Sequence, residues 1–425
     1  MWREYVLGDH IKSTSGFAFS SAFFNDEEIG LPLIRIRDID SSSTELHFSG
    51  EYSEHFVVEN GDILIGMDGE FDVKRWKGDR ALLNQRVLSL WAKASTELDL
   101  DFIYYWIAPY LKNVERRTAA TTVKHLSAKD VDRAIVRAPI LDAQRVIADI
   151  LRTTDTAIEK TEALIAKYEQ IKRGMMQDLF TRGLGEAGRL RPPPEEAPDL
   201  YHETELGLLP KGWATQRVGD IATVKGGKRL PAGREFSDYE TPFPYLRVVD
   251  MVRGSIDKSD LRFVPSDIQP LIARYTISKL DLYITIAGTI GLVGHIPAEL
   301  DGAQLTENAA KLCCIDFSNI SLCYLKRIMS HDIVQNQIAK EIGTGGGVPK
   351  LALFRIEKLV LPIPPIREQR RIAIHLANAE KKLACEEKFS HALRTLKAGL
   401  MQDLLTGEVR VKSDTSVDKR SEAAA

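Results

Sequence analysis

"REQRRIAIHL", residues 367–376, follows a run of prolines, and a near copy, "DAQRVIADIL", occupies residues 142–151. A chain that writes one helix opening twice has a duplicated architecture if the register holds beyond the opening. It does: Gln144 and Gln369 are 225 residues apart, and so are Gln177 and Gln402 in "GMMQDLFT" and "GLMQDLLT". The two segments therefore match without a gap over their whole length, which chance likeness between two helices would not sustain.

Each copy reads as a helix. Proline closes the preceding segment, Pro139 in one case and Pro364–Pro365 in the other, and suits a chain entering a helix. Ile147, Leu151, Thr154 and Ile158 begin a series with alternating steps of four and three that ends at Leu179. Ile372, Leu376, Ala379 and Leu383 begin its counterpart, which ends at Leu404. This is a heptad seam, interrupted at Thr161, Lys172, Glu386, Ser390 and Lys397. Leu164, Ile171, Phe389 and Leu396 lie beside it and are expected to widen the apolar stripe. From Asp142 to Leu179 such a helix is about 57 Å long at ~1.5 Å per residue. Two of them can cover their stripes by packing on each other; the alternative is that each packs against its own domain.

Upstream of each helix, roughly at residues 1–140 and 208–365, short β-rich runs such as "LPLIRIRDID", "GDILIGM", "FPYLRVVDMV" and "LDLYITIAG" are separated by Gly, Asp, Ser and Pro turns. Each region reads as a compact mixed domain. They correspond weakly: Pro32–Asp38 resembles Pro244–Asp250, and Asp62 resembles Asp281, at offsets that wander before settling at 225. The expected organisation is α+β: a mixed α/β domain at 1–140, a helix at 141–183, a linker at 184–207, a second mixed domain at 208–365, a helix at 366–408 and a disordered tail at 409–425. The stretch "GLGEAGRLRPPPEEAPDL" reads as extended because it is rich in Gly, Pro and acid.

Composition sets outer limits. The 425 residues are 44% hydrophobic and 28% charged, enough for two or three domains with real cores. No apolar run reaches membrane-spanning length, and "MWREYVLGDHIK" lacks the apolar core of a signal peptide, so a cytoplasmic protein is expected. Four cysteines cannot form a disulfide framework in so long a chain. Cys313, Cys314 and Cys323 lack zinc-site spacing and are expected to be buried structural thiols. A net charge of −3 decides nothing about nucleic acid, because a basic surface would be local.

Nothing in the chain reads as a catalytic centre. G-x-x-x-x-G-K-[ST], H-E-x-x-H and G-x-S-x-G are absent, and no proline pair carries the aromatic residue of an amino-methyltransferase motif. The Gly-rich "GTGGGVPK" around Gly345 reads as a flexible turn. What remains is binding. In "GMDGEFDVKRWKG", Lys74, Arg75 and Lys77 flank Trp76 in a loop closed by glycines; cations can neutralise phosphates or pair with guanine edges, and an aromatic ring can stack or wedge. The corresponding "TIAGTIGLVG" offers Thr289 and no cations, while "VKGGKRLPAGR" supplies Lys225, Lys228, Arg229 and Arg234. Different loop sets on two related domains point to two different ligand sequences read by one scaffold.

Together these segments resemble the specificity (S) subunit of type I restriction-modification systems, over nearly the whole chain. The resemblance rests on "PPIREQRRIAIHL" with "LKAGLMQDLLTGEVRV", on "PILDAQRVIADIL" with "IKRGMMQDLFTRG", on "TTVKHLSAKDV" and "GGGVPKLALFRI", and on "LGLLPKGW". It implies two target recognition domains, each reading half of a split, asymmetric sequence in double-stranded DNA, spaced by an antiparallel helix pair that forms an antiparallel coiled coil. It implies two copies of a methyltransferase (M) subunit and a translocase-nuclease (R) subunit as partners, no catalysis in this chain, and S-adenosylmethionine, ATP and Mg on the partners. Lys74, Arg75, Trp76 and Lys77 are then the expected DNA contacts of the first half, and Lys225, Lys228, Arg229 and Thr289 those of the second. Lys124 and Lys350 sit at nearly matching places in the domain-end motifs and are candidates for phosphate contact. Gln144, Arg145, Gln369 and Arg370 recur in both halves and are assigned to scaffold or M contact. An unrecognised enzyme, a coiled-coil scaffold that never touches DNA, and a relative serving another modification system remain as rival readings.

Overall fold

The computed structural model describes residues 2–117, 124–252, 254–342 and 349–412; the turn around Gly345 and the tail from residue 413 onward lie outside the described residues. A strand precedes each proline signal, Ile135–Ala138 and Val360–Ile363, and the chain then enters a helix of 41 residues, Leu141–Thr181 or Ile366–Thr406. The repeated glutamine explains the repeated opening. Gln144 is fully buried; its Oε1 accepts from Asp99 N (2.8 Å) and its Nε2 donates to Glu97 O (2.9 Å) and Pro139 O (2.8 Å). Gln369 does the same with Ser321 N (2.9 Å), Asn319 O (2.9 Å) and Pro364 O (2.8 Å). One side chain thus satisfies three backbone groups that burial would otherwise orphan, and it pins each helix start to the domain before it.

The chain forms two units, residues 1–163 with 387–425, and residues 164–386. Each holds one domain and a segment of both long helices. In the first unit Asp155 and Glu162 meet Lys397 and Arg394, and in the second Tyr168 and Lys172 meet Lys382 and Glu380; in both, rising numbers on one helix meet falling numbers on the other. The segments are therefore antiparallel, and the seam positions are buried or half-buried.

The two lysines that interrupt the seam have partners. Lys397 Nζ lies 2.5 Å from Asp155 Oδ1, while the Tyr105 hydroxyl donates to Asp155 Oδ2 (2.9 Å). At matching places 225 residues away, Lys172 Nζ lies 3.8 Å from Glu380, and Arg327 Nη2 donates to Glu380 (2.6 Å). Each acid joins both helices to a domain helix, so polar positions fix the register of the pair as buried polar residues do in coiled coils. Lys397→Ala is expected to destabilise the protein by about 1–3 kcal/mol, because it leaves the largely buried Asp155 carboxylate with one neutral donor. Chemical denaturation checks this; unchanged stability would mean that the pair contributes no more than an ordinary surface ion pair.

Three expectations are corrected. Ile171, Phe389 and Leu396 are about half exposed and do not widen the stripe, whereas Leu164 is half-buried. Of the cysteines only Cys313, at the end of strand Ala309–Cys313, is buried. Cys314 is exposed because the backbone leaves the strand there with φ 54°, and Cys323 is exposed on a helix. The stretch read as an extended linker is folded: Leu184 and Leu190 bridge each other and enter the second unit's core, and Tyr201–Thr204 pairs with Gly207–Pro210. Its anchor is Arg191, which pairs with buried Glu368.

Among the described residues the two domains repeat one plan. Strand Arg3–Val6 pairs with Ile135–Ala138, as Ala214–Arg217 does with Val360–Ile363. A four-stranded sheet in the order Ile11–Ser15, Val87–Ala92, Ile63–Gly66, Val73–Arg75 matches one in the order Thr223–Gly226, Ala309–Cys313, Leu282–Thr285, Val293–His295. A second sheet, of five strands in the first domain and four in the second, contains one parallel pairing in each, Leu31–Ile34 with Ala81–Leu83 and Pro244–Leu246 with Ala303–Leu305. The short β-rich runs of the sequence become these strands, and Ile63–Gly66 and Leu282–Thr285 are buried at every position.

Candidate nucleic-acid interface

The two sheets of each domain meet at a junction that the backbone builds identically. In the first domain Phe17 N donates to Leu83 O (2.9 Å), Asn84 N to Ile34 O (3.1 Å), Met67 N to Arg86 O (3.0 Å) and Leu126 N to Met67 O (2.7 Å). In the second, Lys228 N donates to Leu305 O (2.8 Å), Thr306 N to Leu246 O (3.2 Å), Ile286 N to Asn308 O (2.8 Å) and Leu351 N to Ile286 O (2.9 Å). A glycine makes the close approach possible. A Cβ on Gly16 would sit 2.2 Å from Leu83 O, and one on Gly227 would sit 2.1 Å from Thr306 O, well inside contact distance.

On this common frame the side chains differ. Phe17 and Ala18 stand where the second domain has Lys228 and Arg229; Arg37 where it has Val249; Gln85 and Arg86 where it has Glu307 and Asn308; Asp68 and His125 where it has Ala287 and Lys350. In the second domain these positions line two adjoining grooves. One, of about 910 Å³, is bordered by Arg229, Arg234, Arg247, Arg262 and Val249. The other, of about 600 Å³, is bordered by Lys228, Arg229, Glu307 and Lys350. The Tyr245 ring lines the first of these grooves, where burial pushes its hydroxyl pKa up to about 12 and keeps it a neutral donor to Lys228 O (3.0 Å).

Charge is not equally available along this surface. Arg247 is committed to Asp250 by two bonds (2.6 and 3.0 Å) and also reaches Asp260 (3.2 Å); Arg35 holds Asp38 (3.0 Å) in the same way. These arginines shape a turn. Arg229 is three-quarters exposed and lies 3.6 Å from Glu307, while Arg86 is half exposed and lies 3.3 Å from Asp68, whose other oxygen is 2.6 Å from His125 Nδ1.

The sequence-predicted residues fall as follows. Lys228, Arg229 and Lys350 meet at one groove. Lys225 is exposed on strand Thr223–Gly226, and Thr289 is exposed in the turn after Leu282–Thr285. Val73–Arg75 is an edge strand rather than a loop. Trp76 is 2% exposed, with its Nε1 donating to Asp79 O (2.7 Å), so the expectation that its ring stacks or wedges is overturned: the ring fills the core beneath the strand. Arg75 is engaged with Asp101 and over the Tyr104 ring (4.8 Å), and Lys77 reaches Glu159 on the first long helix (2.7 Å). Lys74 keeps a half-exposed ammonium, its pKa raised by the hydrogen bond to Asp40 (2.8 Å). Lys124 and Lys350 are not equivalent. The bridges Asp68 to His125 and Ala287 to Lys350 make His125 the partner of Lys350, at the same offset of 225 as the helices, and Lys124 instead turns to Glu115 (3.5 Å). Gln144 and Gln369 are fully buried, with no surface left for a partner, whereas Arg145 and Arg370 are exposed.

Sequence reasoning missed Arg37, Arg86, His125 and Asn308. "LLNQRV" and "QLTENA" would have aligned Arg86 with Asn308 at an offset of 222, between the 219 of the preceding strand and the 225 of the helices.

Two copies of one domain, each presenting the same junction with its own side chains and each followed by a long helix of an antiparallel pair, define a duplicated recognition protein. The chain belongs to the family described as Type I restriction modification DNA specificity domain, which matches residues 1–170 and 210–394. It is similar to the Type I restriction enzyme EcoBI specificity subunit of Escherichia coli, 26% identical over 442 residues that cover 100% of this chain and 90% of the relative. The MjaVIII specificity subunit of Methanocaldococcus jannaschii is 22% identical and aligned over 97% of this chain and 94% of its own length. The crystal structure of a type I S subunit from M. genitalium shares the fold, with a TM-score of 0.59 at 17% identity, covering 95% of this chain and 96% of that one. The chain is a specificity component and non-catalytic, as its family is. Among the described residues no helix is long and apolar enough to cross a membrane.

Proposed function

We propose that this chain is the sequence-recognition subunit of a cytoplasmic type I restriction-modification complex. It reads a split, asymmetric DNA target, with residues 1–140 recognising one half-site and residues 208–365 the other. The helices at 141–183 and 366–408 space the two, and the subunit positions two copies of a methyltransferase subunit and a restriction subunit. The observation that carries this reading is the junction displayed twice on one backbone frame with different side chains, because a frame that is kept while its exposed groups change is suited to reading different sequences. Two equal partner sites are supported by Ile171 and Leu396, exposed at places 225 residues apart, and by Gly174 and Gly399, each with open space around it three residues further on. Lys225 and Lys350 are suited to phosphate contact, which positions a protein on DNA without reading it.

The test is co-expression with the cognate methyltransferase subunit, followed by mapping of methylated adenines in host DNA. A motif with two specified halves around an unread gap is the expected result. A stable complex without new methylation and without binding to a random duplex pool would favour a scaffold that never touches DNA.

A further inference from the structure

We infer that Arg86 and Arg229 are the guanine-reading side chains of the two half-sites, each aimed by a carboxylate of its own domain, Asp68 and Glu307. The inference rests on the DNA-reading function proposed above and assigns a base and a residue to each half.

The two arginines come from opposite walls of the same junction. Arg86 stands on the turn whose Arg86 O accepts from Met67 N; Arg229 stands on the glycine loop that packs against the matching turn. Despite the different origins, each is exposed and each has a carboxylate at its side, at 3.3 Å for Arg86 and 3.6 Å for Arg229. Both carboxylates are themselves held. Asp68 is in contact with His125 Nδ1 (2.6 Å), and Glu307 accepts from the Thr306 hydroxyl (3.1 Å) and the Tyr245 hydroxyl (3.4 Å).

Stability does not account for these pairs, since exposed contacts of that length contribute little. Phosphate binding does not account for them either, because a carboxylate beside the guanidinium repels the backbone it would have to meet. Base reading does. A guanidinium presents donors in a planar fork that fits the N7 and O6 of guanine, and a carboxylate on one edge fixes the plane while the other edge remains free. Ordering the side chain before contact lowers the entropy lost on binding. Arg234 and Arg262 also have carboxylates beside them, Asp267 (3.2 Å) and Asp260 (3.3 Å), but those are about two-thirds exposed, whereas Asp68 and Glu307 are only about a quarter exposed; Arg247 and Arg35 are consumed by their own turns.

The experiment uses the complex of the whole chain with its methyltransferase subunit and maps methylated sites for the parent and for Arg86→Ala, Arg86→Lys, Arg229→Ala and Arg229→Lys. The parent must first give a split motif; if it gives none, the functional reading falls and the inference falls with it. Given a motif, Arg86 variants are expected to lose discrimination at one guanine of one half-site and Arg229 variants at one guanine of the other, by roughly 5- to 150-fold. Lysine keeps the charge but not the fork and is expected to relax the same position as alanine. A half-site without guanine overturns the inference. So does uniform weakening by alanine that lysine restores with no position relaxed, which is the behaviour of a phosphate contact, and so does a motif unchanged in every variant.

Discussion

Glu368→Ala is expected to destabilise the protein by about 3–5 kcal/mol, the range for removing one partner of a buried ion pair. Glu368 opens the second long helix and is 7% exposed. Its Oε1 accepts from Leu184 N (2.7 Å) and Arg191 Nη1 (2.5 Å), and its Oε2 accepts from Arg191 Nη2 (3.0 Å) and Trp213 Nε1 (3.1 Å). Truncation leaves a guanidinium that is less than a fifth exposed without its counter-charge and leaves two buried N–H groups without an acceptor. It also detaches the segment around Leu184 and Leu190 from the core it helps to close. The corresponding residue of the first helix is Ala143, so alanine is compatible with the helix opening itself and the loss comes from the network. Denaturant unfolding of Glu368→Ala beside Ala143→Glu separates these causes. A Glu368→Ala variant as stable as the parent would show that the folded segment, and Arg191 with it, rests on apolar contact alone.

This network shows where the sequence was legible and where it was not. Helix faces repeat every few residues and tolerate no insertion, so the seam, the paired glutamines and the offset of 225 were all readable by counting. The acid–lysine contacts were visible only as faults in the seam, because their partners sit on the other helix and on a domain helix. Around the junction the offset steps from 211 at Gly16 and Gly227 to 212, 219, 222 and 225, each step an insertion in a connecting loop, and equivalence at Arg86 or His125 was lost between them. Trp76 was misjudged for a different reason. It lies just past the end of strand Val73–Arg75, where the chain turns its ring into the core although Lys74, two residues earlier, and Lys77 face solvent, and neighbouring charge does not report the burial of the ring. Gly and Pro content alone suggested an extended linker; Leu184, Leu190 and Arg191 carried the contrary signal, and it needed Glu368, far away in sequence, to be read.

Removing one heptad from both long helices at matched positions, residues 160–166 and 385–391, is expected to abolish modification of the parent motif while leaving the protein folded. The deletion lies between Asp155 and Lys172 on the first helix and between Glu380 and Lys397 on the second, which are equally far apart, so both acid–lysine contacts can re-form. Seven residues also preserve the a/d repeat, so the shortened seams still face each other. Each helix loses about 10 Å at ~1.5 Å per residue, equivalent to about three base pairs at ~3.4 Å each. Three base pairs turn a duplex by roughly 100° at 10–10.5 base pairs per turn, whereas seven helical residues bring a helix back to within about 20° of its starting direction. Two readers coupled through the shortened pair then cannot meet both half-sites of the parent motif in register and in rotation. In a pool of targets whose halves are kept and whose gap is randomised, residual modification is expected only at shorter gaps, and loss at the parent gap should exceed 100-fold if each half-site contributes several of the roughly 1–3 kcal/mol base contacts. Deleting the heptad from one helix alone breaks the acid–lysine register and should lower stability as well, which separates a spacing effect from a folding effect. Unchanged modification of the parent motif by the doubly shortened protein would mean that the helices do not set the gap and that the partner subunits do.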